Sequence, residues 1–175
     1  MPVPMPFTLP FLRRVAALCG VVASLSACAS SWSPGDLRPG ASRDDVTGRM
    51  GQPVATYPMP GGGQRLEYSH MPAGLLTWMV DLDASGRLLR AQQVLDEQHF
   101  AAIGPGLTEA EVRQLIGPPS ERGHFWLPVE ADTWRYRFQT VQRCVVFELS
   151  FDVKTHRTLE HGSYPPDTRC GWTMS

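Results

Sequence analysis

One stretch of the 175-residue chain occurs twice, and this repetition restricts the possible folds more than any other feature. The segment from Leu37 to Pro53 recurs from Ile103 to Pro119 at a constant offset of 66 residues. Five positions are identical between the copies: Pro39/Pro105, Gly40/Gly106, Val46/Val112, Gly51/Gly117 and Pro53/Pro119. Internal repetition at a fixed offset is typical of a duplicated structural unit. The sequence therefore predicts two copies of one small fold.

Each copy carries the signals of a short capped helix. Ser42 and Thr108 are suited to the N-cap position, and an acidic residue follows three positions later, at Asp45 and Glu111. In this capping-box spacing the hydroxyl and the acid bind backbone N–H groups that the first helical turn leaves unpaired. A glycine and a following proline then stop each helix. The pattern predicts one helix per copy.

The second copy has the fuller helical pattern. Its helix is expected to bury an apolar stripe of Ala110, Val112, Leu115 and Ile116. Residues 96–103 predict one or two additional turns, with Phe100 and Ile103 facing inward. The first copy offers only residues 31–36 at the corresponding place, so its leading helix is expected to be missing or residual.

After each helix the apolar residues alternate with polar ones, which predicts antiparallel strands with one packed face and one wet face. In the second copy Trp134, Tyr136 and Phe138 alternate with polar residues, and an alternating strand continues to Val153. The first copy shows the same order more loosely from Leu66 to about residue 95, with turn-rich loops at 58–63 and 127–132. The predicted class is α+β: two tandem two-layer repeats, each a short capped helix or helix pair on a three- or four-stranded antiparallel sheet. The repeats are assigned to residues 40–95 and 96–175.

The N-terminal residues have the layout of an export signal. Arg13 and Arg14 precede an uncharged apolar run that is too short to cross a bilayer permanently. The run ends in Leu-Ser-Ala-Cys at 25–28, which resembles the lipobox of bacterial lipoproteins, whose cysteine carries diacylglycerol and becomes the acylated N-terminus. The resemblance implies a signal peptide at 1–27, a lipid on Cys28 and, because no aspartate follows the cysteine, an outer-membrane location. An ordinary secretory signal beside a chance cysteine is the alternative.

Composition limits the other partners. Without residues 1–27 the chain keeps 14 basic and 17 acidic residues, a net charge of −3, so no basic surface for nucleic acid is expected. Residues 28–39 read as a short tether. Cys144 and Cys170 remain as the one free cysteine pair and are expected to form a disulfide in an oxidising compartment, with zinc or redox chemistry as the rival interpretation.

The repeated motif resembles the SmpA/OmlA family, also called the BamE-like family of small outer-membrane lipoproteins. The resemblance rests on Gly-x-Ser/Thr before the helix, on Val-x₄-Gly-x-Pro at its end, and on aromatic residues in the following strand, at Tyr68, Trp134 and Tyr136. It implies a non-enzymatic accessory of the machinery that folds β-barrel proteins into the outer membrane. A typical member has one such unit, and the tandem arrangement is also similar to β-lactamase-inhibitor proteins, which implies as an alternative a lipid-anchored inhibitor or modulator of a periplasmic enzyme.

Motifs for catalysis are weak. His156, His161 and Asp152 could form a metal site, but their place near a predicted hairpin tip favours a solvated turn. Asp81 and Asp83 could act as an acid/base pair, but the polar end of a strand before a turn is favoured. Gly61–Gly63 is best interpreted as a hairpin loop. We expect no catalytic residues, metal, cofactor or small-molecule substrate.

The wet face of the second sheet is the predicted docking surface. Alternation places six polar side chains there, and we expect them to be exposed and to bind a periplasmic or outer-membrane protein: Arg135, Arg137, Gln139, Glu148, Ser150 and Asp152.

Overall fold

A computed structural model describes residues 33–126, 130–141 and 143–165. The described residues belong to one compact unit. The predicted signal peptide, Cys28, the first part of the tether and Cys170 lie outside the described residues, so the export signal, the lipid attachment and the Cys144–Cys170 disulfide stay predictions.

The secondary structure consists of three short α-helices and seven strands in the described part of the chain. The helices are α1 (Arg43–Met50), α2 (Glu97–Ala101) and α3 (Glu109–Ile116). The strands are β1 (Ala55–Pro58), β2 (Gln64–Ser69), β3 (Thr77–Leu82), β4 (Leu88–Gln93), β5 (Glu121–Phe125), β6 (Ala131–Gln139) and β7 (Cys144–Asp152). A single 3-10 turn, Pro60–Gly62, connects β1 to β2.

The strands form two antiparallel sheets. The first sheet has the order β1-β2-β3-β4, and the second has the order β5-β6-β7. Each strand pairs with its neighbour in sequence, so every connection within a sheet is a hairpin. The predicted α+β class with antiparallel sheets is confirmed at this level.

Helices α1 and α3 begin and end as the motifs predict. The side chains of Ser42 and Thr108 each accept a hydrogen bond from the backbone N–H three residues on. The acidic side chain at that position in turn accepts a hydrogen bond from the backbone N–H of the cap residue. Each helix stops at a glycine with positive φ, Gly51 at +82° and Gly117 at +78°. With ψ near 180° this conformation is open essentially to glycine alone, which explains why both copies carry glycine there.

The same tyrosine contact joins helix and sheet in both halves. Tyr68 in β2 donates a hydrogen bond from its hydroxyl to the carbonyl of Gly51 at 3.2 Å. Tyr136 in β6 donates to the carbonyl of Gly117 at 3.1 Å. Both tyrosines are buried, so each hydroxyl needs a partner, and the carbonyl of the glycine that follows the helix provides it. The contact fixes each helix end against the middle of its sheet.

Two apolar clusters make up the core. The smaller one joins Val46 and Met50 of α1 to one face of the first sheet. The larger one joins the inner sides of α2 and α3 to aromatic residues of the second sheet. Met79 of β3 belongs to this second cluster, so the first sheet also contributes to the core of the second half.

The additional helix of the second half is confirmed. Asp96 caps α2, Phe100 and Ile103 are buried, and no helix occurs at residues 33–42 before α1. The predicted stripe on α3 is only half right, because Val112 and Ile116 are buried whereas Ala110 and Leu115 are exposed. A helix of eight residues covers the core with little more than one row of side chains.

Candidate functional site

The outer face of β6 and β7, the predicted docking surface, is more covered than expected. Among its six polar side chains only Gln139 is exposed. Arg135 donates from Nε to Glu148 at 2.6 Å across the strands, and the two side chains keep 26% and 14% of their accessible surface. These two charges therefore satisfy each other. The alternation of the strand is confirmed, but the expected wet face is wrong.

One distant segment contacts that face, and another pairs with the edge of the sheet. Arg137 donates from its guanidinium to the carbonyl of Pro72 in the β2–β3 loop at 3.4 Å. On the other side, residues 158–163 run beside β7, where Leu159 and Ser163 donate backbone hydrogen bonds to the carbonyls of Ser150 and Glu148. Strand periodicity cannot reveal such contacts with distant segments, because it reports only which residues share a face.

Asp152 acts in a turn and does not lie on the docking surface. Its carboxylate accepts hydrogen bonds from the backbone N–H groups of Thr155 and Lys154 at 2.7 and 3.0 Å. These bonds hold the pKa of Asp152 below its usual value. Asp83 ends β3 in the same way and accepts from the N–H groups of Ser85 and Arg87. The interpretation of Asp83 as a turn residue is thereby confirmed.

Asp81 is a buried ion-pair partner that the sequence did not indicate. Its carboxylate is bound by Nε of Arg65 at 2.7 Å and by Nε of Arg90 at 2.8 Å. Burial alone would raise the pKa of Asp81, but the hydrogen bonds from the two arginines outweigh it and leave the pKa below its usual value. The Asp81 side chain is 3% exposed. It is therefore saturated with structural partners and unsuited to acid/base work.

A second buried carboxylate, Glu67, links the first sheet to α3. Glu67 is fully buried and accepts a hydrogen bond from the hydroxyl of Tyr57, while Nε of Arg113 lies 3.7 Å away. Arg113 also donates to the Tyr57 hydroxyl at 3.2 Å. Burial, together with the bond to Glu67, raises the pKa of Tyr57 to about 12. The carboxylate thus stays next to a neutral phenol and one cation.

Helix α3 consequently contacts both sheets. One side of the helix places Val112 and Ile116 in the core of the second half, and Arg113 leaves the other side toward the first sheet. Arg65 of β2 donates to the carbonyl of Gln114 at 3.0 Å. These contacts make the second face of the first sheet a charged interface with α3.

The hairpin of β5 and β6 carries the most exposed aromatic pair in the described residues. Phe125 is 49% exposed and Trp126 is 73% exposed. His124 precedes them, with Nδ1 at 2.8 Å from Asp132 and Nε2 at 3.3 Å from Glu130. The hydrogen bond to Asp132, which outweighs partial desolvation, raises the pKa of His124. Strand β5 has no clear apolar alternation, so the sequence indicated neither the strand nor the exposed pair.

The two histidines of the predicted metal site, His156 and His161, have separate partners. His161 contacts the carbonyl of Ile103 at 3.1 Å, and His156 lies 3.5 Å from Glu109. Over residues 33–126, 130–141 and 143–165 no group of three His, Cys, Asp or Glu side chains is placed to hold a metal ion. His156, His161 and Asp152 therefore do not converge.

A shallow cleft of about 550 Å³ lies beside the β6–β7 turn. It is lined by six residues: Glu97, Thr140, Val141, Arg143, Val145 and Tyr164. Glu97 and Arg143 are therefore its one acidic and one basic side chain. Tyr164 packs at 5.4 Å from the ring of Phe147, which fixes one wall.

No helix within the described residues is long and apolar enough to cross a membrane. Comparisons with family models, with curated proteins and with solved structures found no match to this chain.

Proposed function

We propose that this chain is a lipoprotein anchored by Cys28 on the periplasmic face of the outer membrane, with a folded part made of two BamE-like repeats at residues 40–95 and 96–175. It serves as a non-enzymatic protein-binding or structural module that supports outer-membrane protein assembly or envelope integrity. The observation that carries the proposal is the equivalence of the contacts at the two helices.

That equivalence extends to backbone contacts far from the helix caps. In the first half Gly40 donates its N–H to the carbonyl of Leu88, and in the second half Gly106 donates to the carbonyl of Thr158. An arginine guanidinium also reaches the glycine carbonyl in each half, from Arg87 to Gly40 and from Arg157 to Gly106. Matching bonds between residues about fifty positions apart support duplication of a whole unit, beyond a shared helix motif.

The chemistry of the described surface supports binding rather than catalysis. The two most deeply buried carboxylates have structural partners: Asp81 binds Arg65 and Arg90, and Glu67 accepts a hydrogen bond from Tyr57. Of the predicted docking residues, Gln139 at the end of β6 remains exposed, with the half-buried Arg137 two residues before it. We therefore centre the proposed protein contact on this end of β6.

Photo-crosslinking in living cells tests the protein contact. A photoreactive amino acid at Gln139 should capture a defined partner, whereas the same group at Leu89, exposed on β4, should not. Components of the barrel-assembly machinery among the products would support the proposed function, and a periplasmic hydrolase would favour the alternative, an enzyme inhibitor. Equal labelling from both positions, or none from Gln139, would contradict the contact.

Mass spectrometry tests the anchor. The N-terminal peptide of the mature protein should begin at Cys28 and carry the mass of a diacylglyceryl group and an amide-linked acyl chain. Replacement by Cys28→Ser should leave the protein without lipid and release it from membranes. An unmodified Cys28 in the mature protein would contradict the proposal.

A further inference from the structure

Both sheets carry an aromatic residue at the same position of the face that packs on their helices, Trp78 in the first and Phe147 in the second. In the strand register Trp78 lies opposite Tyr68. Phe147 lies opposite Tyr136 in the same way. These tyrosines bind the glycines at the ends of α1 and α3. Trp78 and Phe147 therefore occupy corresponding points of the repeated unit, and their surroundings can be compared directly.

In the second half, helix α2 covers this point. Phe100 of α2 stacks on Phe147 at a centroid distance of 4.2 Å, with an angle of 9° between the rings. Tyr164 contacts the same ring at 5.4 Å, and Phe147 is buried. The second half thus shows what fits on this part of the sheet: a short helix that presents an aromatic side chain.

In the first half, no helix of the described residues takes that place. The offset of 66 residues puts Pro34 where the second half has Phe100, and residues 33–42 contain no helix. Proline disrupts a helix beyond its first turn and has no aromatic ring to offer. The first half therefore keeps the aromatic position on the sheet and lacks the element that fills it in the second half.

The surroundings of Trp78 are incomplete as a result. Its side chain packs at the margin of the smaller apolar cluster and is only partly buried. Its Nε1 N–H group is buried and has no acceptor among the described residues, although an unpaired buried donor is costly and rare. Leu76, two residues before Trp78, is 38% exposed, whereas Val145, two residues before Phe147, packs on the larger cluster.

We propose that the Trp78 site, defined by Trp78 and Leu76, is a docking site for a short amphipathic helix of another protein that presents an aromatic side chain. The partner helix takes the place over Trp78 that α2 takes over Phe147. Burial of the indole ring and of Leu76 provides the apolar contact, as in other complexes in which an amphipathic helix lies on an apolar groove. The inference uses the comparison of the two halves and depends neither on the lipid anchor nor on the contact at Gln139.

The position of Trp78 in the sheet favours a helix over an added strand. Strand β3 is central, since Trp78 lies between Tyr68 of β2 and Gln93 of β4. A partner can therefore reach Trp78 only from the face of the sheet and not through strand pairing. The end of α1 lies beside this point, because Tyr68 binds the carbonyl of Gly51. A docked helix would rest against α1 as α2 rests against α3.

Titration of the full-length protein with a helical peptide tests the proposal. The probe is a synthetic peptide of residues 96–103, stapled between positions 97 and 101, which are both exposed in α2. The signal is the indole N–H resonance of Trp78 in protein with isotope-labelled tryptophan, assigned by its absence in Trp78→Phe. The peptide should shift this resonance to saturation and leave the resonance of Trp134, in the larger cluster, unchanged.

Matched variants show whether the contact is specific. A peptide with alanine in place of Phe100 should bind at least about tenfold more weakly, because truncation of a central aromatic anchor is costly. Leu76→Glu in the protein should weaken binding of the original peptide by a similar factor and, being at an exposed position, leave folding intact. Leu89→Glu, at another exposed apolar position of the same sheet, should leave binding unchanged.

The outcomes separate the possible occupants of the Trp78 site. A saturable shift that is lost with the alanine peptide and with Leu76→Glu supports the docking of a partner helix. No shift of the Trp78 resonance, or equal binding of the two peptides, overturns it. A resonance that moves with protein concentration in the absence of peptide would assign the site to a second copy of this chain, and that result also overturns the proposal.

Discussion

The two sheets share one sequence pattern. They differ in the contacts made by the face that does not pack on their own helices. The first sheet packs one face on α1. Its other face meets α3 through the bond from Arg65 to the carbonyl of Gln114 and through the contacts of Arg113 with Tyr57 and Glu67. The second sheet buries its aromatic face under α2 and α3. Its outer face is contacted by the β2–β3 loop, and residues 158–163 pair with its edge at β7.

The difference shows that a repeated sequence pattern determines local contacts but not their surroundings. Both halves have the capped helix, the terminal glycine and the tyrosine that binds it. Only α3 lies where a second sheet can reach it, so only α3 carries an arginine that extends to the opposite sheet. The first half also contributes Met79, Val94 and Leu95 to the second core, whereas the buried members of the first core all come from the first half.

The largest effect is expected from Phe100→Ala, because α2 has no counterpart before α1. Phe100 stacks on Phe147 at 4.2 Å and meets the edge of Phe138 at 4.9 Å. Truncating a buried phenylalanine costs about 3–5 kcal/mol of folding free energy. Urea denaturation should show this loss, while Phe125→Ala at the exposed end of β5 should change stability by less than about 0.5 kcal/mol. A loss below about 1 kcal/mol for Phe100→Ala would mean that α2 is not part of the core.

Asp81→Ala should be next in size. Removing one partner of a buried ion pair costs about 3–5 kcal/mol, and because Arg90 is half exposed we expect a loss of about 3 kcal/mol. Ser150 occupies the corresponding strand position in the second half, where no buried ion pair exists among the described residues. Ser150→Ala should therefore be nearly neutral in the same denaturation experiment. Equal losses of folding free energy for both variants would show that the buried ion pair does not distinguish the two sheets.

Substitution of the glycines that end α1 and α3 distinguishes local backbone strain from contact between the two halves. Gly51→Ala and Gly117→Ala should each cost about 1–3 kcal/mol, since both residues have a backbone conformation essentially restricted to glycine. A side chain at Gly117 would additionally come within 2.8 Å of the Thr77 methyl group of the first sheet. We expect an additional loss of about 1 kcal/mol there.

Thr77→Ser provides the control, because it removes that methyl group and keeps the hydroxyl that bonds to Ser69. It should recover the additional loss in the Gly117→Ala protein and have no such effect on Gly51→Ala. Thermal denaturation of the four proteins checks this, and identical responses to Thr77→Ser would show that Gly117 does not contact the first sheet.

The smallest effect concerns pH and the contacts of His124 with Asp132 and Glu130 in the second half. Because the folded-state pKa of His124 is raised, its bonds to Asp132 and Glu130 favour the protonated ring. Their contribution is complete below the unfolded pKa of about 6.5 and is lost as pH rises through the folded value. An NMR titration of the His124 ring should give a midpoint above 6.5 that Asp132→Asn lowers. A midpoint unaffected by Asp132→Asn would contradict the hydrogen bond between His124 and Asp132.

Sequence reasoning predicted the elements that depend on near neighbours. The hydroxyl and acid at Ser42 and Asp45, and again at Thr108 and Glu111, gave both helix starts, since these bonds span only three residues. Alternation in β6 and β7 also gave the buried aromatic face. Neither signal depends on how the halves pack together.

The candidate site was less predictable, because its exposure depends on distant segments. Arg135 and Arg137 follow the pattern of a wet face, but Arg135 is paired with Glu148 and Arg137 contacts a loop from the first half. Glu67 and Asp81 look like surface acids in the sequence and are buried because arginines of neighbouring strands and of α3 meet them. The exposure of Trp126 was missed for a different reason: an aromatic residue near a strand is usually buried.

Native-state hydrogen exchange in low urea tests most directly whether α3 joins the two halves into one folding unit. The slowest amides of β2 and β3 and the slowest amides of β6 and β7 should exchange through the same global opening, with equal free energies and equal urea dependence. If the strands of the first sheet open at a clearly lower free energy while β6 and β7 stay protected, the halves fold separately, and α3 does not hold them together.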